Sequence, residues 1–422
     1  MFLFPFWINF YIKFTSLYST SIMLTKSKAE RNIKIHWWIN LISWITFLVP
    51  IISIFYKYTW LSTFQIVLIS NIFTFGMCIF ELPTSVLADT MWRKRSLMAS
   101  VICNFLCASL ILFLPNIIWF SIAAVFQALY YSFWSWTAQA FLEENLVILW
   151  EENKFWRFFW KFSFYEQLAA TITPLIASLI LKLQPNIWYT ILASLDVIFA
   201  FVIVILVLQL VETSKISQES KTFKQAIKIN VDTWISALKN VFWNIEIRQF
   251  LVYRSLSHHA TFFGIILLPI LAEKWMLDWV SGIITTIFTL WSMFASKYVY
   301  KRWEKYWYNV SWVRSTIWQW ICLIIAWLFF ESWIFVAIIY LVFSILDGFI
   351  SPSWNHCLVK VIKWKSIATS RSIVFWCVSL YATFLKWIMS YLSPNLALII
   401  LWVIILVTNT ILAKNMLNSK NE

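Results

Sequence analysis

Three acids and a basic pair carry the chemistry in a chain with few charges. Arg254 and His258 are four residues apart in an apolar run, with His259 beside them. That spacing puts Arg254 and His258 on one helix face. The His can exchange a proton near neutral pH, or the pair can meet lipid headgroups near the cytoplasmic end. Glu166, Asp196 and Asp347 each stand inside long apolar stretches. An ionisable residue at membrane depth is a functional candidate by default, so these carboxylates can couple protons, hold a cationic substrate or pair structurally. Asp347-Gly348, followed by Ser351-Pro352, reads as a bent or broken segment, a common place for a site. Gln127 and Gln319 can line a cavity or bond between helices. The six cysteines form no CxxC and no Cys/His cluster at zinc spacing. They read as free thiols, and neither a metal nor a cofactor is expected.

The elements that position these groups are spanning helices. Of 422 residues, 61% are hydrophobic and 12% charged, against about 25% charged in a soluble domain. A soluble enzyme, a disordered chain and a nucleic-acid module are poor fits. The net charge of +14 belongs to cytoplasmic loops. No nucleophile motif or phosphate-binding loop is present, so an enzyme is not expected.

Twelve apolar runs are long enough to span. The first six lie near 36–56, 64–86, 97–114, 117–141, 161–183 and 187–210, and the eighth near 279–300. The one long connection, 211–247, is polar and Lys-rich and divides the chain six plus six. Its stretch from Phe223 to Val241 reads as an amphipathic surface helix. The expected units are an N-terminal segment 1–32, a six-helix half 33–210, the linker 211–247, a second half 248–413 and a tail 414–422. Lys and Arg concentrate in alternate connections, which places both termini in the cytoplasm. Residues 1–25 are too short to span and lack a basic lead-in, whereas Met23 begins one, so Met23 is a candidate start.

Between the second and third runs stands ELPTSVLADTMWRKRSL, Glu81 to Leu97. This resembles the signature loop of the major facilitator superfamily of secondary transporters. Ser85 holds the family's first Gly position, Asp89 the acid and Trp92 the second Gly, followed by Arg93 and Lys94. Glu81 and Pro83, leading in, are similar to drug-exporter-like members. The resemblance implies an all-α membrane protein with twelve transmembrane helices in two six-helix halves. It also implies that Asp89, Arg93 and Lys94 latch the halves in the outward-facing state.

A second match, YSFWSWTAQAFLEENL, ends the fourth helix. Ser135 and Trp136 stand for the family's Ser-Gly, Gln139 for its first acid and Glu144 for its second. The fourth helix holds no basic residue, which leaves the family's arginine-linked proton relay without its arginine. In the fifth helix, Ala169 to Ser178 around Pro174 loosely resembles the antiporter motif. Small residues there permit close packing, and Pro bends the helix.

The implied function is alternating-access transport of a small molecule, with proton-coupled efflux of a drug-like or amphipathic compound as the first reading. Uptake of a nutrient or metabolite is the alternative, and a non-transporting sensor or scaffold on the same fold a third. Expected partners are substrate, protons and the lipid bilayer, with no nucleic acid. The protein is expected to act as a monomer in the inner (plasma) membrane.

One pair of counts is abnormal: 30 Trp and 4 Gly. Typical usage is roughly 7% Gly, about 30 residues here. Trp92 and Trp136 occupy family Gly positions. Trp150, Trp156, Trp303, Trp307 and Trp364 stand among charged neighbours where turns favour Gly. An aromatic belt explains interfacial Trp but not missing Gly. The counts read as a UGA codon that means glycine in the source, rendered as tryptophan. The Ile-, Phe-, Lys- and Asn-rich composition suits an AT-rich genome.

Overall fold

The computed structural model describes residues 26–90, 93–151, 155–184, 187–212 and 278–303, with isolated positions between 232 and 384. All regular structure among the described residues is helical. Residues 1–25, the linker and most of the second half lie outside them, including Arg254, His258 and Asp347.

Helix α1 covers 26–43. Its buried residues Ala29, Asn32, Ile33, His36, Ile39 and Asn40 recur at helical spacing on one face. The chain then leaves the helix at Trp44 to Leu48 and resumes as a 3-10 turn, Val49–Ile51, running into α2, Ile52–Tyr58. Pro50 supplies the reason. It has no N–H to bond the carbonyl of Thr46 four residues back, and its ring crowds that carbonyl. The first span, read from the sequence as one helix near 36–56, is therefore two pieces.

Helix α3 is Thr63–Thr90. Ser62 and Gln65 cap its start reciprocally, Ser62 N–H to Gln65 Oε1 at 2.8 Å and Gln65 N–H to Ser62 Oγ at 3.3 Å, a capping box. Helix α4 is Arg93–Phe113. Helix α5, Ile117–Ile148, is capped by Asn116, whose side chain accepts from the N–H groups of Ile118 and Trp119. Helices α6, Phe155–Leu183, and α7, Trp188–Gln209, complete the first half. From the second half, α8 covers Asp278–Trp303. Five helices are long and apolar enough to cross a membrane among the described residues: α3, α4, α5, α6 and α7.

From Val197 to Leu208, helix α7 is apolar on every face. Ala200, Ile203 and Val207 are buried, while Ile198, Phe201, Ile205 and Leu208 are exposed, as a lipid-facing helix requires. Two apolar clusters stack along the bundle axis. One joins Phe47, Leu48, Phe55, Phe120, Ala177 and Leu192. The other joins Ile39, Leu97, Val101, Phe141, Ile203 and Val207. Positions 104 on α4, 127 on α5 and 196 on α7 lie between the two. The polar residues therefore form a layer at mid-depth, flanked by apolar packing on both sides.

Candidate functional site

The carboxylates Glu166 and Asp196, thirty residues apart on different helices, both meet the break after α1. Asp196 Oδ1 accepts from the Phe47 N–H at 2.7 Å, and Oδ2 accepts from the Leu48 N–H at 3.1 Å. The broken backbone frees these two donors, and lipid offers no partner for them. Asp196 supplies both bonds with a charged acceptor, the stronger kind. On the other side of the break, a side-chain hydrogen bond joins Trp44 to Glu166.

Beside the break lies a cavity of about 450 Å³. Ser43, Thr46, Asn104, Gln127 and Asp196 bring polar groups to a wall that is otherwise apolar and aromatic. The volume falls within the range of small-molecule pockets, and a mostly apolar wall with a few convergent polar groups is their usual make-up. Asp196 and Gln127 were legible as candidates. Ser43, Thr46, Asn104 and the two backbone donors were not, because no motif marks a helix break. Pro50 was the available signal.

The start of α4, the end of α5 and the exit from α7 form a second polar cluster. Arg93 Nε donates to Glu144 Oε1 at 3.2 Å, closing an ion pair between the start of α4 and the end of α5. The two sequence matches therefore meet in space. The Lys94 N–H donates to Glu212 Oε2 at 2.9 Å, and its ammonium donates to the Leu208 carbonyl at 2.9 Å. Lys94 thus ties α4 to the end of α7. Asn32, wholly buried, makes three further bonds. Its Nδ2 donates to Asn145 Oδ1 at 3.0 Å and to the Val211 carbonyl at 2.7 Å, and its Oδ1 accepts from the Val211 N–H at 2.9 Å. This link between α1, α5 and the exit from α7 had no motif to announce it.

Glu81 is buried in α3, one turn from Thr84, whose hydroxyl donates to the Ser132 carbonyl of α5 at 3.1 Å. Pro83 lies within α3 and is exposed. Gln139 is half-buried on α5. Asp89 belongs to the last turn of α3. The side chains of Asp89, Ser135 and Trp136, and Trp92 altogether, lie outside the described set.

The small-residue stretch of α6 serves a contact between halves. Ala169, Thr173, Pro174, Ala177 and Ser178 are buried, and Gly282 of α8 lies against them. A Cβ at Gly282 would run into Ser178 Oγ and the Pro174 carbonyl oxygen. A second contact between halves is Cys78 Sγ of α3 on the Trp376 carbonyl at 3.7 Å.

No family model and no curated sequence matches the chain. Solved structures do match. A POT family transporter in complex with 5-aminolevulinic acid superposes with TM-score 0.72 at 13% identity, covering 93% of this chain and 96% of that one. The xylose transporter XylE from E. coli, in a partially occluded inward-open conformation, gives 0.67 at 14%, covering 92% and 98%. The nucleoside transporter NupG, as a point mutant, gives 0.64 at 10%, covering 93% and 99%. The chain is an all-α membrane protein with the fold of these major facilitator transporters.

Proposed function

We propose that this chain is a secondary transporter that moves a small, amphipathic or cationic compound out of the cell against protons. The observation that carries the reading is the break in the first span. Two membrane-embedded acids from α6 and α7 meet an unwound backbone segment beside a cavity. Unwound backbone at membrane depth is tolerated where it is buried or lines a cavity, and such breaks mark transporter sites.

The chemistry follows from the clasp. As a carboxylate, Asp196 holds Phe47 and Leu48 with two charge-assisted bonds, each roughly twice as strong as a neutral one. A proton on Asp196 removes the charge and weakens both. The wall segment 44–48 then loosens, and the cavity changes shape with protonation. Tyr56 and Cys107 are the other titratable side chains on the cavity wall, and no Lys or Arg lines it among the described residues. Glu166, bonded to Trp44, is the second acid able to bias the same segment. At the cytoplasmic face, Asp89, Arg93 and Lys94 form the latch, with Arg93 anchored on Glu144. The compartment is the inner membrane, both termini are cytoplasmic, and the unit is one chain of two six-helix halves.

Uptake is the second reading. It is favoured by neighbours whose names specify xylose and nucleosides rather than drugs. Proteoliposomes with an imposed pH gradient separate the two. A lipophilic cationic dye accumulating against the proton gradient supports efflux by exchange. Co-movement of a sugar or nucleoside with protons supports uptake. Asp196→Asn and Glu166→Gln should lose gradient-driven movement while retaining substrate exchange; unchanged gradient-driven movement removes that acid from the mechanism. Asp89→Asn should leave a folded protein that no longer transports, and full activity refutes the latch.

A further inference from the structure

Among the described residues, two that are not glycine have positive φ, and both are tryptophan. Trp60 and Trp150 each sit at φ 63°. None of the described glycines has positive φ. Tryptophan is 30 of 422 residues, too few for chance to place it at both.

Each position closes a helix in the same way. At the end of α5, Leu149 is the last residue with helical geometry. The Trp150 N–H donates to the Val147 carbonyl at 3.0 Å, and the Glu151 N–H reaches back to the Leu146 carbonyl at 2.9 Å. These are the two bonds of a Schellman cap, with Trp150 at the left-handed position. At the end of α2, the Leu61 N–H donates to the Tyr56 carbonyl at 3.1 Å, the long-range bond of the same cap, with Trp60 at the left-handed position. Leu61 packs against the apolar cluster that contains Tyr56, the apolar contact that accompanies such caps.

That position favours glycine for a steric reason. In a left-handed residue the Cβ crowds the backbone, and only glycine escapes this. Nothing offsets the crowding here. The Trp60 and Trp150 side chains are 95% and 81% exposed, so neither ring packs on the protein. An interfacial aromatic belt would account for exposed rings, but a belt Trp can sit on any helical residue and does not need positive φ. Trp134 shows the contrast. It lies in α5 with its ring nearly parallel to the His36 ring, centroids 6.3 Å apart, so cap geometry says nothing about it.

We infer that positions 60 and 150 are glycine in the protein its native cell makes, through UGA codons that the cell decodes as glycine. The two caps single out these two from the described tryptophans on backbone geometry alone, and Trp60 stands outside any sequence motif.

The test reads codons 60 and 150 of the gene and the mass of the peptides spanning them, from protein purified out of native membranes. UGA at both codons with glycine in both peptides is the expected result. UGG at either codon overturns the inference for that position, as does UGA with tryptophan in the peptide. A separate readout tests the cap argument. The chain carrying Trp60→Gly and Trp150→Gly should melt at higher temperature than the chain with tryptophan at both, whereas Trp38→Gly, inside α1, should give no gain. Equal or lower melting of the double variant overturns the cap argument.

Discussion

Replacing Asp196 tests the clasp on the first span directly. In Asp196→Asn, one side-chain oxygen remains to accept a hydrogen bond and the charge is gone. One of the two bonds, at 2.7 and 3.1 Å, must be lost, because the amide nitrogen cannot accept. A hydrogen bond to a charged group contributes about 1.5–3 kcal/mol, and 1.4 kcal/mol is about tenfold in an equilibrium. The opening equilibrium of segment 44–48 should therefore rise by roughly 10- to 100-fold. Asp196→Leu removes both acceptors and should exceed that. Amide hydrogen exchange, followed by mass spectrometry on peptides covering 44–52, reports this opening. The Phe47 and Leu48 amides should exchange faster by that factor, with peptides from the middle of α5 unchanged as the internal reference. Exchange at Phe47 and Leu48 that matches the unsubstituted protein would refute the clasp and, with it, the coupling of Asp196 to the break.

Three other perturbations have defined outcomes. Asn32→Leu takes its partner from the Val211 N–H and its donor from the Val211 carbonyl and Asn145 Oδ1; at about 1–3 kcal/mol for a buried group left unsatisfied, the melting temperature should drop by several degrees, and an unchanged value refutes the structural role. Gly282→Ala drives a Cβ into Ser178 and the Pro174 carbonyl; overpacking of about 1–3 kcal/mol should lower thermal stability, with partial recovery when Ser178→Gly is added. For Arg93 and Glu144, the double change to Ala should cost less than the sum of the single changes, by about 0.5–3 kcal/mol in a cycle; strict additivity would mean that the ion pair carries no coupling.

Much of this arrangement was legible before any coordinates. Apolar run lengths located the second to sixth spans, with one end of the fourth seven residues short and of the fifth six, because lipid demands length and apolarity and little else. The signature loop and the fourth-helix match marked Arg93 and Glu144 separately; the ion pair between them was not read from the sequence. Glu166 and Asp196 were flagged by cost alone, as ions in hydrocarbon. Their meeting at one segment was invisible, since it depends on the break after α1. That break was missed because hydropathy continues smoothly from 36 to 56 and carries no information about backbone hydrogen bonds. Asn32 was missed for a related reason: an amide in a charged lead-in, between Arg31 and Lys34, looks the same whether it bonds across three elements or faces water.

The break also sets an order of events during synthesis. Phe47 and Leu48 enter the membrane 149 and 148 residues ahead of the side chain that satisfies them. At about 5–20 residues per second of elongation, Asp196 arrives roughly 7–30 seconds later. Through that interval the two amides must bond to water, or to the carbonyls of Ser43 and Trp44 in an unbroken first helix. The first span thus takes its working shape only once the sixth has been made, and a ribosome pausing between them holds the chain with its mid-membrane donors unclaimed by their final acceptor.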